Sequence, residues 1–300
     1  MSKFVIVGPA SQILGVRIAK QMDAKHINTF FKTFPDGVRY IRLNLEDESI
    51  LKGEEIIIVQ STGPSAGSDQ NARLLELFMI IDAIKRIGAA KITVVVPYLA
   101  YARQDKVFRP GESEFAKAVL RLLNSMEIDE FYVVDIHAPM VLQELDCKAV
   151  NIDSMRVLAD HIKSLGAENI VVVSPDEGAR ERSKAFAKHF GEEVPVEVFE
   201  KKRDVKTGEI NMSGSLDLQD KNVVISDDII ATGGTMSEAI RIAKKNGAKT
   251  VYAVATHALL LQNAKYRIIE AGADTIIGTD SIDNEAAKVS LAKVIVDYLE

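Results

Sequence analysis

VVISDDIIATGGT, residues 223–235, decides how the rest of the chain is read. An apolar run ends on two carboxylates, Asp227 and Asp228, and a Thr-Gly-Gly-Thr turn comes next. Val223–Asp227 has the composition of a buried strand, and Met236–Asn246 has helical spacing. Where a strand turns into a helix, the backbone N–H groups of Thr232, Gly233, Gly234 and Thr235 can converge on an anion, and the helix dipole adds favourable charge. Carboxylates do not serve that anion. They are hydrogen-bond acceptors, suited to hydroxyl groups about a sugar's width away. A phosphorylated sugar satisfies both halves of the stretch. A structural alternative stands beside it, with Thr232 as a helix N-cap and Asp228 paired with a nearby cation.

Outward from this stretch, short β-branched runs alternate with longer amphipathic ones. Expected strands are Phe4–Gly8, Ile56–Gln60, Ile92–Pro97, Phe131–Asp135, Ile170–Ser174, Val196–Phe199, Val251–Ala255 and Thr275–Gly278. Expected helices include Gln70–Ile87, Ser113–Met126, Met155–Leu165, Gly178–Phe190 and Glu285–Leu299. Several strands are apolar at successive positions, the mark of a parallel sheet covered on both faces. The alternation reads as α/β. A helix end, Gly-Ala, two residues and a strand recur at Gly88, Gly166, Gly247 and Gly272, glycines suited to the left-handed position that closes a helix. The segment trailing each strand then lies at the carboxyl edge of a sheet, where α/β folds bind ligands. These segments, PYLAYARQDK, DIHAP, SPDEGARERS, SDDIIATGGT and THALL, are polar and mostly carry Asp, His or Arg.

The chain has 300 residues, 47% hydrophobic and 27% charged, with a net charge of −6. That composition suits one large or two ordinary globular domains and disfavours general nucleic-acid binding. No apolar run approaches the roughly 18 residues that span a bilayer. MSKFVIVGPA lacks the h-region of a signal peptide, and Cys147 is the single cysteine, so no intramolecular disulfide forms and the expected compartment is the cytoplasm. The division is expected near residues 146–152, giving domains 1–148 and 149–300, with the C-terminal helix able to pack back on the first.

Two acids after an apolar strand and then T-G-G-T resemble the phosphoribosyl-binding loop of the type I phosphoribosyltransferase fold. Phosphoribosyltransferases and ribose-phosphate pyrophosphokinases share that loop. FPDGVRYIRL (34–43) resembles the F-x-D-G-E segment of the pyrophosphokinases, with Val38 where that family has Glu. The long stretch from Gln60 through P-Y-L-A-Y-A-R-Q-D resembles the same family, and the likeness extends over nearly the whole chain. Ala231 departs from it too, at a place often held by Asp.

The resemblance implies two similar phosphoribosyltransferase-like domains, each a mainly parallel sheet flanked by helices. It implies an ATP site made by Phe34, Asp36, Gly37, Val38, Arg103, Gln104, Asp105 and His137, completed across a subunit contact, and hence a homo-oligomer of at least two chains. It places magnesium at His137, Asp135 and Asp176, and a pyrophosphate loop at Asp176, Glu177 and Gly178. It gives Lys201 and Arg203 the catalytic role, and ribose 5-phosphate to Arg203, Asp227, Asp228, Ala231, Thr232, Gly233, Gly234 and Thr235. The implied reaction moves the diphosphoryl group of MgATP to the C1 hydroxyl of ribose 5-phosphate and releases AMP. The rival readings are a phosphoribosyltransferase that consumes the product and a non-catalytic regulatory paralogue. The chain has no G-x-x-x-x-G-K-[ST] and no G-x-G-x-x-G after its first strand, which disfavours a P-loop enzyme and a dinucleotide dehydrogenase. Neither nucleic acid nor a membrane is an expected partner.

Overall fold

The computed structural model describes residues 2–65, 67–203, 210–213 and 217–300, with the backbone alone for 200–203 and 210–213. The chain forms two compact units, residues 1–153 with 280–284 and 290–300, and residues 154–279 with 285–289.

The first unit runs β1 (Lys3–Val7), α1 (Gln12–Gln21), β2 (Lys25–Thr33), β3 (Arg39–Leu43), β4 (Glu55–Val59), α2 (Gln70–Ile87), β5 (Lys91–Val96), α3 (Phe115–Asn124), β6 (Glu130–Val134) and β7 (Lys148–Ile152). Its seven-stranded sheet has the order β3-β2-β1-β4-β5-β6-β7, parallel except for the β2–β3 hairpin at one edge. KFVIV, EIIIV and KITVVV are apolar at successive positions because both faces are covered. Phe4, Ile6, Ile56, Ile58, Val94 and Val96 join Leu77, Ile80 and Ile84 of α2 and Leu120 of α3 in one core, while Val5, Val7, Ile57, Val59 and Val95 are buried on the other face. α2 matches its expected span: the Asp69 carboxylate accepts the Ala72 N–H at 2.8 Å, and Gly88 closes the helix at φ +87°.

The second unit runs α4 (Met155–Ser164), β8 (Ile170–Ser174), α5 (Arg180–Lys188), β9 (Val196–Val198), β10 (Glu200–Arg203), β11 (Ile210–Ser213), β12 (Asn222–Ile230), α6 (Gly234–Lys245), β13 (Thr250–Ala258), α7 (Ala264–Glu270), β14 (Thr275–Thr279) and β15 (Ala287–Val289). Its six-stranded sheet, β15-β14-β13-β12-β8-β9, is parallel throughout, and β10 and β11 form a separate antiparallel pair. Gly166, Gly247 and Gly272 take positive φ, as their junctions require.

Three expectations are corrected. β12 does not stop at Asp227. It runs on to Ile230, paired with β13 as far as Ala258, so the acid pair lies inside a strand. Glu285–Leu299 is not one helix, because β15 occupies its first part as an edge strand on β14. Only α8 (Ala292–Leu299) is helical, and it belongs to the first unit, with Ala292, Ile295 and Val296 buried. The helix begins where Asp280 dictates: its carboxylate accepts the Leu291 N–H and the Ser290 hydroxyl, both at 2.7 Å, and pairs with Arg17 at 2.9 Å. Third, β2, β3 and β7 fall outside the expected strands. KHINTFFKT buries only Ile27 and Thr29, with exposed residues between and around them, as an edge region with one wet face does, and forms no apolar run. Among the described residues no helix is long and apolar enough to cross a membrane.

Candidate active site

In the second unit, the turn from β12 to α6 is where the sequence leads one to expect an anion cradle. Gly233 is the N-cap of α6 at φ +72°, and no side chain caps the helix. Thr232 is therefore not the cap; its carbonyl accepts from Arg267 Nη1 at 2.8 Å. The first N–H groups of a helix have no carbonyl within it, and here they begin at Gly234, where an added Cβ would meet nothing within 4 Å. At Gly233 the same methyl would stand 3.1 Å from Ile268. One glycine makes the bend, and the other leaves the approach open. Thr232 is exposed, and Ala231 and Thr235 are half-buried.

Upstream on the same strand, Asp228 is buried and Asp227 half-buried. Their Oδ1 atoms are held by the strand itself: Asp227 Oδ1 accepts the Asp228 N–H at 2.8 Å, and Asp228 Oδ1 accepts the Ile229 N–H at 2.9 Å. Arg182, from the first turn of α5, reaches the same two oxygens, at 2.9 Å from Asp228 and 3.8 Å from Asp227. Burial, and then the adjoining Asp228 charge, push the Asp227 carboxyl well above the usual carboxylate range; Arg182 pulls the other way. Sequence reasoning missed Arg182. It lies within SPDEGARERS, but no motif singles it out, and only the packing of α5 on β12 brings it to the acids.

The segment after β8 forms a tight turn. The Asp176 carboxylate accepts the Ala179 N–H at 3.2 Å, and the Ser174 hydroxyl donates to the Asp176 carbonyl at 2.7 Å. Glu177 and Gly178 are exposed, with Glu177 paired to Arg180 at 3.2 Å. Lys201 and Arg203 belong to β10, in register with Met212 and Ile210 of β11, and their side chains lie outside the described residues.

In the first unit, Phe34–Val38 is the turn of the β2–β3 hairpin. Phe34 N–H donates to the Val38 carbonyl and Gly37 N–H to the Phe34 carbonyl, both at 2.9 Å, and the Asp36 carboxylate accepts the Val38 N–H at 3.1 Å. Phe34 and Val38 are exposed. A buried ion cluster fastens the hairpin to α2: Arg39, beside Val38, pairs with Glu76, and Arg73 pairs with the same carboxylate at 2.6 Å. Arg103 and Gln104 are exposed on the loop after β5, and Asp105 is half-buried beside them. After β6, Asp135 is buried at φ +39° and His137 is exposed. β5 and β6 are neighbours, so these two loops share one stretch of the carboxyl edge. The hairpin rises over β2, three strand positions from β5, or roughly 14 Å at the usual interstrand spacing. The loop of Arg103, Gln104 and Asp105 and the loop of Asp135 and His137 thus leave adjacent strands, whereas the hairpin tip stands over β2.

No cluster of three or more His, Cys, Asp or Glu that could hold a metal occurs among the described residues. A magnesium ion carried by nucleotide phosphates asks less, one or two oxygen ligands, with water and phosphate supplying the rest. Asp135 in the first unit and Asp176 in the second are each a carboxylate of the kind such an ion accepts, whereas the exposed His137 offers nitrogen rather than oxygen.

A family profile described as the N-terminal domain of ribose phosphate pyrophosphokinase matches residues 4–126, and a phosphoribosyl transferase domain profile matches residues 142–292. A ribose-phosphate pyrophosphokinase of Methanosarcina acetivorans is 36% identical over 99% of both chains. One of Pyrococcus furiosus is 36% identical over 98% of this chain and 100% of its own. The crystal structure of phosphoribosylpyrophosphate synthetase from Mycobacterium smegmatis superposes with a TM-score of 0.85 at 29% identity, covering 100% of this chain and 98% of that one.

Proposed function

We propose a division of labour among the residues of this chain, which belongs to the ribose-phosphate pyrophosphokinase family. The activity is transfer of the diphosphoryl group of ATP to ribose 5-phosphate. The observation that carries the assignment of the acceptor site is the union, on one strand–turn–helix, of an acid pair and an uncapped helix start opened by Gly233 and Gly234.

The turn 231–235 takes the 5-phosphate through backbone N–H groups, with the Thr232 and Thr235 hydroxyls beside it. Asp227 and Asp228 accept hydrogen bonds from the ring hydroxyls and so aim C1. ATP lies against Arg103, Gln104, Asp105 and His137, with Phe34, Asp36, Gly37 and Val38 supplied by the hairpin of a second copy. Asp176, Glu177 and Gly178 cradle the diphosphate. Magnesium, held on the ATP phosphates by Asp135, His137 and Asp176, would neutralise phosphate charge. The C1 hydroxyl oxygen bonds to the β-phosphorus and gives up its proton to solvent, the bond from that phosphorus to the α,β-bridging oxygen breaks, and AMP leaves with that oxygen. Two polyanions must meet in line, so positioning and charge neutralisation dominate. Lys201 and Arg203 supply the cations at the transferring group, with Arg203 also reaching the sugar phosphate. The setting consistent with these substrates is the cytoplasm.

The experiment is AMP release from ATP and ribose 5-phosphate by the purified protein, with and without chelator. Activity that needs both substrates and a divalent ion is expected. Lys201→Ala is expected to slow turnover by roughly 10²–10³; an unchanged rate removes Lys201 from the mechanism.

A further inference from the structure

No motif in the sequence assigns a role to Arg182, yet its guanidinium lies against both members of the acid pair. Its contacts fall on the Oδ1 atoms that the Asp228 and Ile229 amides already hold. Arg182 therefore approaches from the protein's side of the pair and joins existing anchors. β8 (IVVVS) and the first turn of α6, Gly234–Ser237, carry no charged side chain, and β13 contributes His257, buried in register with Ile229.

Two adjacent, desolvated carboxylates resist carrying two negative charges, and one tends to keep a proton. A protonated carboxyl has lost part of its accepting capacity and competes as a donor. Ribose hydroxyls need acceptors, so a retained proton weakens the sugar's hold. A guanidinium does not deprotonate at any working pH.

The geometry points to Arg182 as a positioning residue for ribose 5-phosphate: a permanent counter-ion that keeps Asp227 and Asp228 available together as acceptors, without itself touching the sugar. The inference rests on the reading of that pair as the sugar's acceptors. At Asp227, burial and Asp228 favour the proton and outweigh Arg182, so Arg182 limits the pH range over which the pair keeps a proton and does not abolish it.

The test compares the wild type with Arg182→Gln, Arg182→Met and Arg182→Lys. In the ligand-free proteins, ¹³C NMR tracks the aspartate carboxyls through titration. Arg182→Gln is expected to raise the titration of the pair by about one unit or more, as loss of an adjacent opposite charge does, and Arg182→Lys to restore most of it. Steady-state kinetics between about pH 6 and pH 9 supply the second readout. Arg182→Gln is expected to raise KM for ribose 5-phosphate about tenfold at the acid end, the factor that one unit commands. The difference is expected to close towards the alkaline end, with KM for ATP unchanged. An unmoved titration, or a sugar KM ratio constant across the pH range, overturns the inference. Arg182→Met keeps the apolar stem and carries the same readouts if the Gln variant does not fold. If the wild type neither binds ribose 5-phosphate nor releases AMP, the substrate reading fails while the carboxyl titration still decides what Arg182 does.

Discussion

A methyl group at Gly233 would stand 3.1 Å from Ile268 and 3.3 Å from Ala264, on a backbone already at φ +72°; at Gly234 it would meet nothing. The two neighbours should therefore respond differently to alanine. Gly233→Ala is expected to cost about 1–3 kcal/mol of stability, read by denaturant unfolding. Gly234→Ala is expected to leave stability within about 0.5 kcal/mol and to raise KM for ribose 5-phosphate through the obstructed phosphate approach. The acid pair makes a second prediction, about pH. Asp227 binds its proton more tightly folded than unfolded, because burial and Asp228 favour the neutral form. The folded state then loses stability as pH rises from the unfolded carboxylate value through the folded one. Asp227→Asn is expected to unfold at a higher temperature than wild type at neutral pH, with the gain vanishing below the ordinary carboxylate range. The same variant should bind ribose 5-phosphate more weakly, so stability and function move in opposite directions. At this scale the acids and glycines were legible because strand, acid pair, turn and helix are contiguous. Arg182 was not, since its partners lie on another element.

The β2–β3 hairpin shows what a search for apolar runs overlooks. Its strands turn Lys25, His26, Asn28, Phe30 and Arg42 outward, and it is fixed from below by charge rather than by a continuous apolar face. Arg73 and Glu76 are fully buried, and Arg73 also donates to the Ser65 carbonyl at 2.6 Å and lies 4.9 Å from the Phe31 ring. Removing the one carboxylate between two guanidiniums leaves buried charge uncompensated. Glu76→Gln is expected to cost about 3–5 kcal/mol, measured by urea unfolding, and to raise KM for ATP if the tip of this hairpin touches nucleotide. The parallel strands were readable for the opposite reason: burial on both faces forces Val and Ile at successive positions, and Gly88, Gly166, Gly247 and Gly272 mark where the preceding helices stop. Residues 285–299 misled because AAKVSLAKVIVDYL suits a helix throughout. Pairing of Ala287–Val289 with β14, and Asp280 at the start of α8, override that local preference.

At the scale of the molecule, the hairpin tip and the Arg103 loop stand over strands three places apart in one sheet, and the tip exposes Phe34 and Val38. If the tip of one copy serves the ATP site of another, Phe34→Ala and Lys201→Ala damage sites through different chains. Mixing the two inactive proteins and allowing subunits to exchange is expected to restore up to roughly a quarter of wild-type activity, since half of the dimers are mixed and each has one intact site. A mixture as inactive as its parts would place the hairpin in its own chain's site. The family and the α/β character of each unit were legible in sequence patterns spread along the whole chain; the division of residues 280–289 between the units was not, because it depends on contacts far apart in sequence.

That partition bears on how the protein is made. Residues 290–300 complete the first unit, through α8 and the Asp280–Arg17 link, but a ribosome produces them after the entire second unit. The first unit must wait, with the flank of α1 uncovered, until the second has been translated. A nascent chain halted at Asp153 should therefore be more vulnerable to proteases and more dependent on chaperones than the released protein, although every strand of its sheet has already been synthesised.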